Sequence, residues 1–118
     1  MKQDIMDTIV KDLNSYEQTI PHKYPAKVKK LKKALEKFFT EHKISVGEWF
    51  FYAPNVWRER GEVYCRDADM ILCIDGNLLD ILNFSWSPDF ENSFLEICLK
   101  NGYYYEFGCS WYLGFYPE

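Results

Sequence analysis

The chain has little of what enzymes and metal sites are built from. Only two of its 118 residues are histidines, His22 and His42. The sequence patterns of zinc proteases, phosphate-binding loops and α/β-hydrolase nucleophiles do not occur. Four cysteines are present, but no two are spaced as Cys-x-x-Cys, and their spacings fit no zinc framework. The sequence therefore predicts no catalytic residue, no metal site and no cofactor, and we expect that the protein is not an enzyme.

Long apolar runs are missing as well. No stretch approaches the ~20 apolar residues of a membrane span, and the N-terminus lacks the apolar core of a signal peptide. We therefore expect a cytoplasmic protein without membrane contacts, whose cysteines stay free thiols in a reducing compartment. The length of 118 residues is that of a single domain, residues 1–118.

Basic residues become scarce along the chain. Residues 1–43 hold ten lysines against six acidic residues, whereas residues 44–118 hold four basic residues against twelve acidic ones. From Asp67 onward Lys100 is the only base, against nine acids. An acidic surface repels phosphates, so we expect no direct binding of nucleic acid. The asymmetry favours a basic protein partner, which carboxylates attract and steer.

Aromatic residues, by contrast, are abundant, at 22 of 118. A core of this size takes only some of the nine tyrosines and four tryptophans, so we expect several at the surface. Tyr and Trp supply large contact areas at low rotamer cost and are enriched at protein interfaces. The composition therefore points to a surface that binds another protein.

Two helices are predicted in residues 1–44. Residues 4–18 carry apolar side chains at helical spacing. Pro25 then opens a second helix that runs to Lys43, because proline is tolerated at the first helical position. The many lysines of this second helix are typical of a solvated helix face, and this interpretation is favoured over a phosphate or membrane patch. Its buried stripe consists of Val28, Leu31, Leu35 and Phe38, with His42 at its end as a packed or capping residue.

After Ile44 the apolar period changes to two, which predicts strands. The first strand covers residues 47–53 and the second covers residues 62–66, with Val63 and Cys65 pointing inward and Tyr64 pointing outward. Residues 54–61 between them are predicted to form a loop that exposes Trp57.

Two glycine-containing dipeptides predict hairpins. Gly76-Asn77 separates two apolar runs of residues 70–84, and such a pair suits a two-residue primed turn. In this arrangement Asp75 and Asp80 share the face opposite the core. Residues 93–100 fit a helix or a strand, and we choose the strand, because Asn101-Gly102 followed by Tyr103–Phe107 is a strong hairpin signal. Residues 111–116 form either the last strand or an extended tail, with Gly108 and Gly114 as expected bulges.

The predicted architecture is an α+β fold of two layers. The helical layer, residues 1–44, covers one face of an antiparallel meander of about six strands formed by residues 45–118. The other face stays open and mixes carboxylates with aromatic rings. In this register Glu106 points into the core, which would be corrected by a shift of one residue. The predicted partner-binding residues are Trp57, Tyr64, Asp75, Asp80, Glu96, Tyr103 and Tyr105.

In size, acidity, aromatic content and lack of catalytic residues, the whole chain resembles the immunity proteins of bacterial contact-dependent and other polymorphic toxin systems. The resemblance implies a protein that binds a toxin domain, often a basic nuclease, in the cytosol and covers its active site or substrate groove. It carries no motif, so no individual residue takes its role from it.

Two alternatives stay open. One is a small-molecule-binding or enzymatic α+β domain with a pocket between helices and sheet, lined by Trp49, Phe51 and Phe38. The other is a structural subunit that dimerises through its open face; as an inhibitor, we expect a monomer or a weak homodimer.

Overall fold

The computed structural model describes residues 20–118, so the helix predicted over residues 4–18 lies outside the described residues. The described part has an α+β fold, as predicted. A short 3₁₀ turn, Val46–Glu48, precedes the first strand. The elements, in chain order, are α1 (Ala26–Glu41), β1 (Trp49–Tyr52), α2 (Pro54–Glu59), β2 (Met70–Ile74), α3 (Gly76–Phe84), α4 (Pro88–Lys100), β3 (Tyr103–Cys109) and β4 (Tyr112–Pro117).

The prediction of about six strands is wrong, because the described residues form one sheet of four. All neighbours are antiparallel and the order is β1-β2-β4-β3, so the chain does not follow a simple meander. Strand β4 lies between β2 and β3 and pairs with both. Leu72 of β2 is opposite Leu113, and Tyr105 of β3 is opposite Phe115.

Helix α1 confirms the prediction made from its apolar stripe. Val28, Leu31, Leu35 and Phe38 are buried, and Phe39 beside them is buried as well. Pro25 stands immediately before the helix, with extended backbone angles. The buried stripe packs on the sheet, while the lysines face outward, as expected of an amphipathic helix.

The hairpin predicted around Gly76-Asn77 is wrong: this dipeptide begins helix α3. Two carboxylates receive the free backbone N–H groups of the helix start. Asp75 Oδ1 accepts a hydrogen bond from the N–H of Gly76 at 2.8 Å, and Glu48 Oε1 accepts one from the N–H of Leu78 at 3.0 Å. Such capping satisfies donors that have no partner within the helix. Asp80 therefore lies on a helix and not on a strand, and Asp75 caps the start of that helix.

The strand predicted over residues 93–100 is also wrong, and the helical alternative is found. Ser87 Oγ caps α4 by accepting a hydrogen bond from the N–H of Phe90 at 3.3 Å. Asn101-Gly102 does not form a hairpin turn but ends the helix, with Asn101 at its C-cap and Gly102 at a φ of +79°. A left-handed glycine is a common way to end a helix.

Residues 54–66 differ from the prediction at both ends. Residues 54–59 form α2 instead of a loop, and Trp57 is 0% exposed, so its predicted exposure is wrong. Residues 62–66 form no strand, and Val63, predicted to point inward, is 75% exposed. Pro54 at the helix start explains the helix, because its fixed φ suits the first turn and its missing N–H is not needed there.

Both faces of the sheet are covered, contrary to the predicted open face. Helices α1, α3 and α4 cover one face and form the first core with residues such as Phe39, Leu72, Phe94 and Phe115. Helix α2 and residues 61–69 cover the other face and form a smaller second core. Its buried members are Tyr52, Ala53, Val56, Trp57, Cys65, Ala68, Ile71 and Tyr112.

The C-terminal strands confirm the prediction for residues 103–107 and 111–116, with a register shifted by one residue. Tyr103 and Tyr105 belong to the first core, whereas Glu106 is exposed. The shift that would move Glu106 out of the core is thus the one found. A register irregularity between Phe107 and Cys109 confirms the bulge at Gly108. Gly114 is paired in regular register with Ile71 and Glu106, so the bulge expected there is absent.

Candidate functional site

Exposed aromatic and acidic side chains gather where α3 meets α4 and the β3–β4 turn. We call this group the tip surface and define it by five residues. Phe84 is 64% exposed and Trp86 is 65% exposed, which is unusual for side chains of this size. Its members are Asp80, Phe84, Trp86, Asp89 and Trp111.

Two hydrogen bonds to backbone carbonyls fasten the β3–β4 turn to its neighbours, and a third, within α3, orients the Asn83 side chain that makes one of them. Asn83 Nδ2 donates to the carbonyl of Ser110 and to that of Leu79, each at 2.8 Å. The N–H of Ile74 donates to the carbonyl of Trp111 at 2.8 Å. Because Asn83 precedes Phe84 and Ser110 precedes Trp111, these bonds bring the end of α3 against the turn that carries Trp111.

Trp86 occupies the tight corner between two helix ends. Ser85 closes α3 in the left-handed conformation, with a φ of +54°, and Ser87 caps α4. Below the corner, Phe90 is buried and its ring lies 4.7 Å from that of Phe38. The buried Phe90 therefore anchors the corner in the first core, while the indole of Trp86 faces outward.

Trp111 rests on the second core. Its ring centroid lies 6.5 Å from that of Trp57 and 4.7 Å from that of Tyr112. Trp57 is itself fixed, because its Nε1 donates a hydrogen bond to the carbonyl of Tyr64 at 2.8 Å. A buried tryptophan thus positions an exposed one.

The carboxylates of the tip surface have no countercharge in the described part of the chain. Asp80 lies one helical turn before Phe84 on α3, and Asp89 lies in the first turn of α4. Within residues 20–118 neither forms an ion pair or hydrogen bond. Lys100 stands eleven residues after Asp89, about 16 Å along the helix, and its Nζ lies 3.1 Å from Glu96 Oε1. The tip surface is therefore negative as well as aromatic.

Four of the seven predicted partner-binding residues have surface-accessible side chains. Tyr64 and Asp75 are exposed, Asp80 is half-buried, and Glu96 is exposed and paired with Lys100. Asp80 belongs to the tip surface and Asp75 caps the same helix. Tyr64 and Glu96 lie on other elements, so the structure does not bring the four together on one sheet face. Their contact with a partner stays a prediction.

The other three predicted residues are structural in their surroundings. Trp57 and Tyr103 are buried, and Tyr105 packs on the first core with its ring 5.0 Å from that of Phe94. The hydroxyl of Tyr103 donates to Asp69 Oδ2 at 2.8 Å. Burial, and then this hydrogen bond, raises the pKa of Tyr103. Burial also raises the pKa of Cys98 to about 12, which keeps this thiol protonated and unreactive at neutral pH.

Sequence reasoning missed Phe84, Trp86 and Trp111. A signal was present in Ser85-Trp86-Ser87-Pro88, which places a tryptophan between a helix-capping serine and a proline that starts a helix. It was hidden because both neighbouring helices were interpreted as strands.

Apart from the tip surface, a groove lies along the outer edge of β1. It is an open groove of about 410 Å³. Lys32 Nζ lies 5.6 Å from the ring centroids of both Tyr24 and Phe51, and 3.0 Å from Glu36 Oε2. Trp49 Nε1 is buried and has no hydrogen-bond partner among the described residues. The groove is lined by His22, Tyr24, Lys32, Glu36, Val46, Trp49, Phe50 and Phe51.

Within residues 20–118 no three His, Cys, Asp or Glu side chains are grouped so that they could hold a metal ion. In the same part of the chain, no helix has the length and apolar character needed to cross a membrane. A comparison of the chain with protein-family models, curated proteins and solved structures finds no match.

Proposed function

We propose that this protein is an immunity protein, which binds a cognate bacterial toxin domain and neutralises it by covering its active site or substrate groove. The tip surface is the part of the protein that makes this contact. The proposal depends on one observation: two large exposed aromatic side chains, Phe84 and Trp86, lie beside two carboxylates, Asp80 and Asp89, that have no ion-pair partner within residues 20–118.

This combination suits a basic protein surface, such as that of a nuclease domain. Tryptophan, tyrosine and arginine are the residue types most enriched among binding hot spots. An arginine of the partner can stack on the indole of Trp86 and at the same time form two hydrogen bonds with a neighbouring carboxylate. The excess of acids after Asp67 adds a long-range attraction that raises the association rate.

The proposed setting is the cytoplasm of a bacterium that uses contact-dependent growth inhibition. The four cysteines are free, which fits a reducing compartment. In this setting the protein acts as an antitoxin by binding alone and needs no catalytic residue of its own.

The test uses the toxin domain encoded next to this protein in its genome. Isothermal titration calorimetry measures its affinity for wild type, for Trp86→Ala and for the double variant Asp80→Lys, Asp89→Lys. We expect a loss of at least about tenfold for each, since a hot spot contributes about 2 kcal/mol or more. Asp67→Lys, an exposed acid on the other side of the sheet, is the matched control.

Two results would speak against the proposal. The first is the absence of any binding to the adjacent toxin domain. The second is an affinity that the tip variants leave unchanged while Asp67→Lys lowers it, which would place the contact on the opposite side of the protein. Protection of growth in cells that express the toxin domain should follow the measured affinities.

The groove beside β1 favours a second candidate function, the binding of a small anionic aromatic molecule. Its specific support is Lys32, which lines the groove with its ammonium 5.6 Å from the ring centroids of both Tyr24 and Phe51 and can attract an anion there. Binding of the probe anilinonaphthalene sulfonate, measured by fluorescence, should be weakened by Lys32→Met. Equal binding to wild type and variant would exclude this groove as the site.

A further inference from the structure

The positive charge of the described chain is concentrated in and beside helix α1. Residues 20–43 hold eight lysines and two glutamates, a net charge of +6, whereas residues 44–118 hold four basic and twelve acidic residues. Four exposed lysines lie within about 100° of one another around the helix, on the side opposite its buried stripe. We call these four the lysine face: Lys29, Lys30, Lys33 and Lys37.

No acidic side chain neutralises the lysine face in the part of the chain that the structure describes. None of its four lysines forms an ion pair or a hydrogen bond there. The two glutamates of α1 do not serve it, because Glu36 Oε2 lies 3.0 Å from Lys32 Nζ and Glu41 stands at the last position of the helix. One side of α1 therefore carries positive charge that its described neighbours leave uncompensated.

The lysines of this face repel one another. Lys33 has Lys29 and Lys37 one turn away on either side, and Lys30 stands three positions before it. Like charges at these spacings destabilise a helix, whereas an ordinary solvated helix face combines acids with bases. The first turn of α1 also has no acid and no side-chain cap that would counter the helix dipole. A partner with a row of negative charges would remove this repulsion on binding.

We propose that the lysine face binds the phosphate backbone of a nucleic acid duplex. This binding goes beyond the proposed neutralisation of a toxin and does not depend on it. The contact is independent of base sequence, because lysine contacts to phosphates carry no sequence information and α1 has no arginine, asparagine or glutamine to read a base edge. The acidity of residues 44–118 argues against phosphate contacts there, so the proposal concerns α1 alone.

The dimensions of the lysine face match a phosphate backbone. From Lys29 to Lys37 the face extends about 12 Å along the helix. A DNA duplex carries one phosphate per ~1.7 Å of its axis, so several phosphates lie within reach of the four lysines. Each ammonium group sits on a flexible four-carbon stem and can therefore pair with a phosphate of its own.

An anionic membrane is a poorer partner for this face. Helices that lie on membranes turn large apolar side chains toward the lipid. In α1 all such side chains are buried in the first core, namely Val28, Leu31, Leu35, Phe38 and Phe39. The lysine face therefore offers a bilayer no apolar anchor, whereas a phosphate backbone requires only charge.

The tip surface borders the far end of α1. The ring of Phe38, in the last turn of the helix, lies 4.7 Å from that of Phe90 beneath the corner of Trp86. Lys29 precedes Phe38 by nine residues, about 13 Å along the helix. Because the acids of the tip surface repel phosphates, we expect the duplex to lie along the first turns of α1, which leaves the tip surface free for the toxin domain.

The test measures binding of the full chain to a fluorescein-labelled DNA duplex of mixed sequence by fluorescence anisotropy. With four phosphate contacts, the association constant of wild type should fall about hundredfold between about 50 and 200 mM salt. The triple variant Lys29→Gln, Lys33→Gln, Lys37→Gln should bind at least about tenfold more weakly at about 50 mM salt. A wild type that does not bind the duplex at this salt concentration, or a triple variant that binds equally well, overturns the proposal.

Two single variants separate the lysine face from general charge. Lys33→Gln should weaken binding and reduce the slope of the salt dependence by about one, whereas Lys100→Gln, an equal change on α4, should leave both nearly unchanged. Equal effects of the two variants would contradict a contact at α1. Binding of wild type to phosphatidylserine vesicles but not to DNA would replace the duplex with a membrane and overturn the proposal.

Stability provides an independent readout. The triple variant removes only exposed, mutually repelling charges, so its melting temperature should equal or exceed that of wild type. A lower melting temperature would contradict the repulsion on which the proposal depends. Binding to the toxin domain is measured separately, so failure to bind DNA leaves the proposed function standing, and failure to bind the toxin domain leaves the lysine face to be judged by the anisotropy alone.

Discussion

The rings of Trp57 and Trp111 meet edge to face, with their centroids 6.5 Å apart. One of the two is fully buried beneath the sheet, and the other is half in solvent. Among the residues that the structure describes, Trp57 has three ring neighbours, since Tyr52 and Tyr112 also contact it. The buried indole therefore joins α2, the sheet and the tip surface, and a change there should be felt in all three.

The first prediction concerns this indole. Trp57→Ala should lower the free energy of unfolding by about 3–5 kcal/mol, because it leaves a large cavity in the second core. Trp111→Ala removes an exposed ring and should cost far less. Urea unfolding followed by circular dichroism measures both. Equal losses of stability for the two variants would contradict this prediction, because the exposed ring would then matter as much as the buried one.

The second prediction concerns the start of α3. Glu48→Ala should lower the free energy of unfolding by about 1 kcal/mol, because it removes an acceptor from the N–H of Leu78. Glu48→Gln keeps an oxygen at this position and should retain most of the stability. If the two variants are equally unstable in urea, the negative charge and not the hydrogen bond is what α3 requires.

The third prediction compares two glycines. A Cβ at Gly114 would lie 2.9 Å from the Cβ of Ala68, closer than such atoms normally approach, whereas a Cβ at Gly47 would meet nothing within 4 Å. Gly114→Ala should therefore cost about 1–3 kcal/mol of stability, as overpacking does. Gly47→Ala is the matched control and should stay within about 0.5 kcal/mol of wild type. Thermal unfolding distinguishes them, and similar melting temperatures would show that residues 65–68 can move away from the sheet.

The fourth prediction concerns alkaline pH. Burial raises the pKa of Tyr112 from its ordinary value of 10.0 to about 12. Between these values the unfolded chain releases the tyrosine proton while the folded protein keeps it. The unfolded state thus binds fewer protons, and the free energy of unfolding falls as pH rises from 10 towards 12, by up to about 1.4 kcal/mol per pH unit for this group.

The corresponding variant is Tyr112→Phe, which has no proton to lose. Its stability should decline less steeply with pH than that of wild type, in urea titrations at several alkaline pH values. Two parallel curves would show that other groups, such as the other buried tyrosines, cause the whole decline.

The elements predicted correctly are those whose local pattern has a single interpretation. Helix α1 has a stripe of four spaced apolar residues after a proline, and β3 has three consecutive tyrosines, a composition with high strand propensity. In both cases the local sequence alone favours one type of secondary structure, so no tertiary contact is needed to decide between helix and strand.

Two of the elements predicted wrongly, α3 and α4, begin or end at a glycine whose conformation also suits a hairpin turn. Gly76 and Gly102 both have positive φ, as a hairpin turn of type I′ requires, but one begins a helix and the other ends one. What decides the first case is Glu48, which lies 28 residues earlier and reaches the N–H of Leu78. A contact at that distance in sequence leaves no trace in the local pattern.

The candidate site was predicted only in its chemistry. Acidic and aromatic residues were expected at the surface, and Asp80 is among them. The error in α3 and α4 carried over to the site, because a strand at residues 78–84 would have placed Phe84 at the end of a sheet and not beside Trp86. Trp57 was assigned to the surface because a loop was expected, and its neighbours in the second core come from distant parts of the sequence.

The position of β4 between β2 and β3 also determines when the four-stranded sheet can form. Strands β2 and β3 do not pair with each other. Each pairs with β4, residues 112–117, which is synthesised after both of them. The sheet therefore closes only after synthesis has passed its last strand, and long-range closures of this kind slow folding. A chain that ends before Tyr112 would contain every helix described here but would lack β4, the strand that joins β2 to β3.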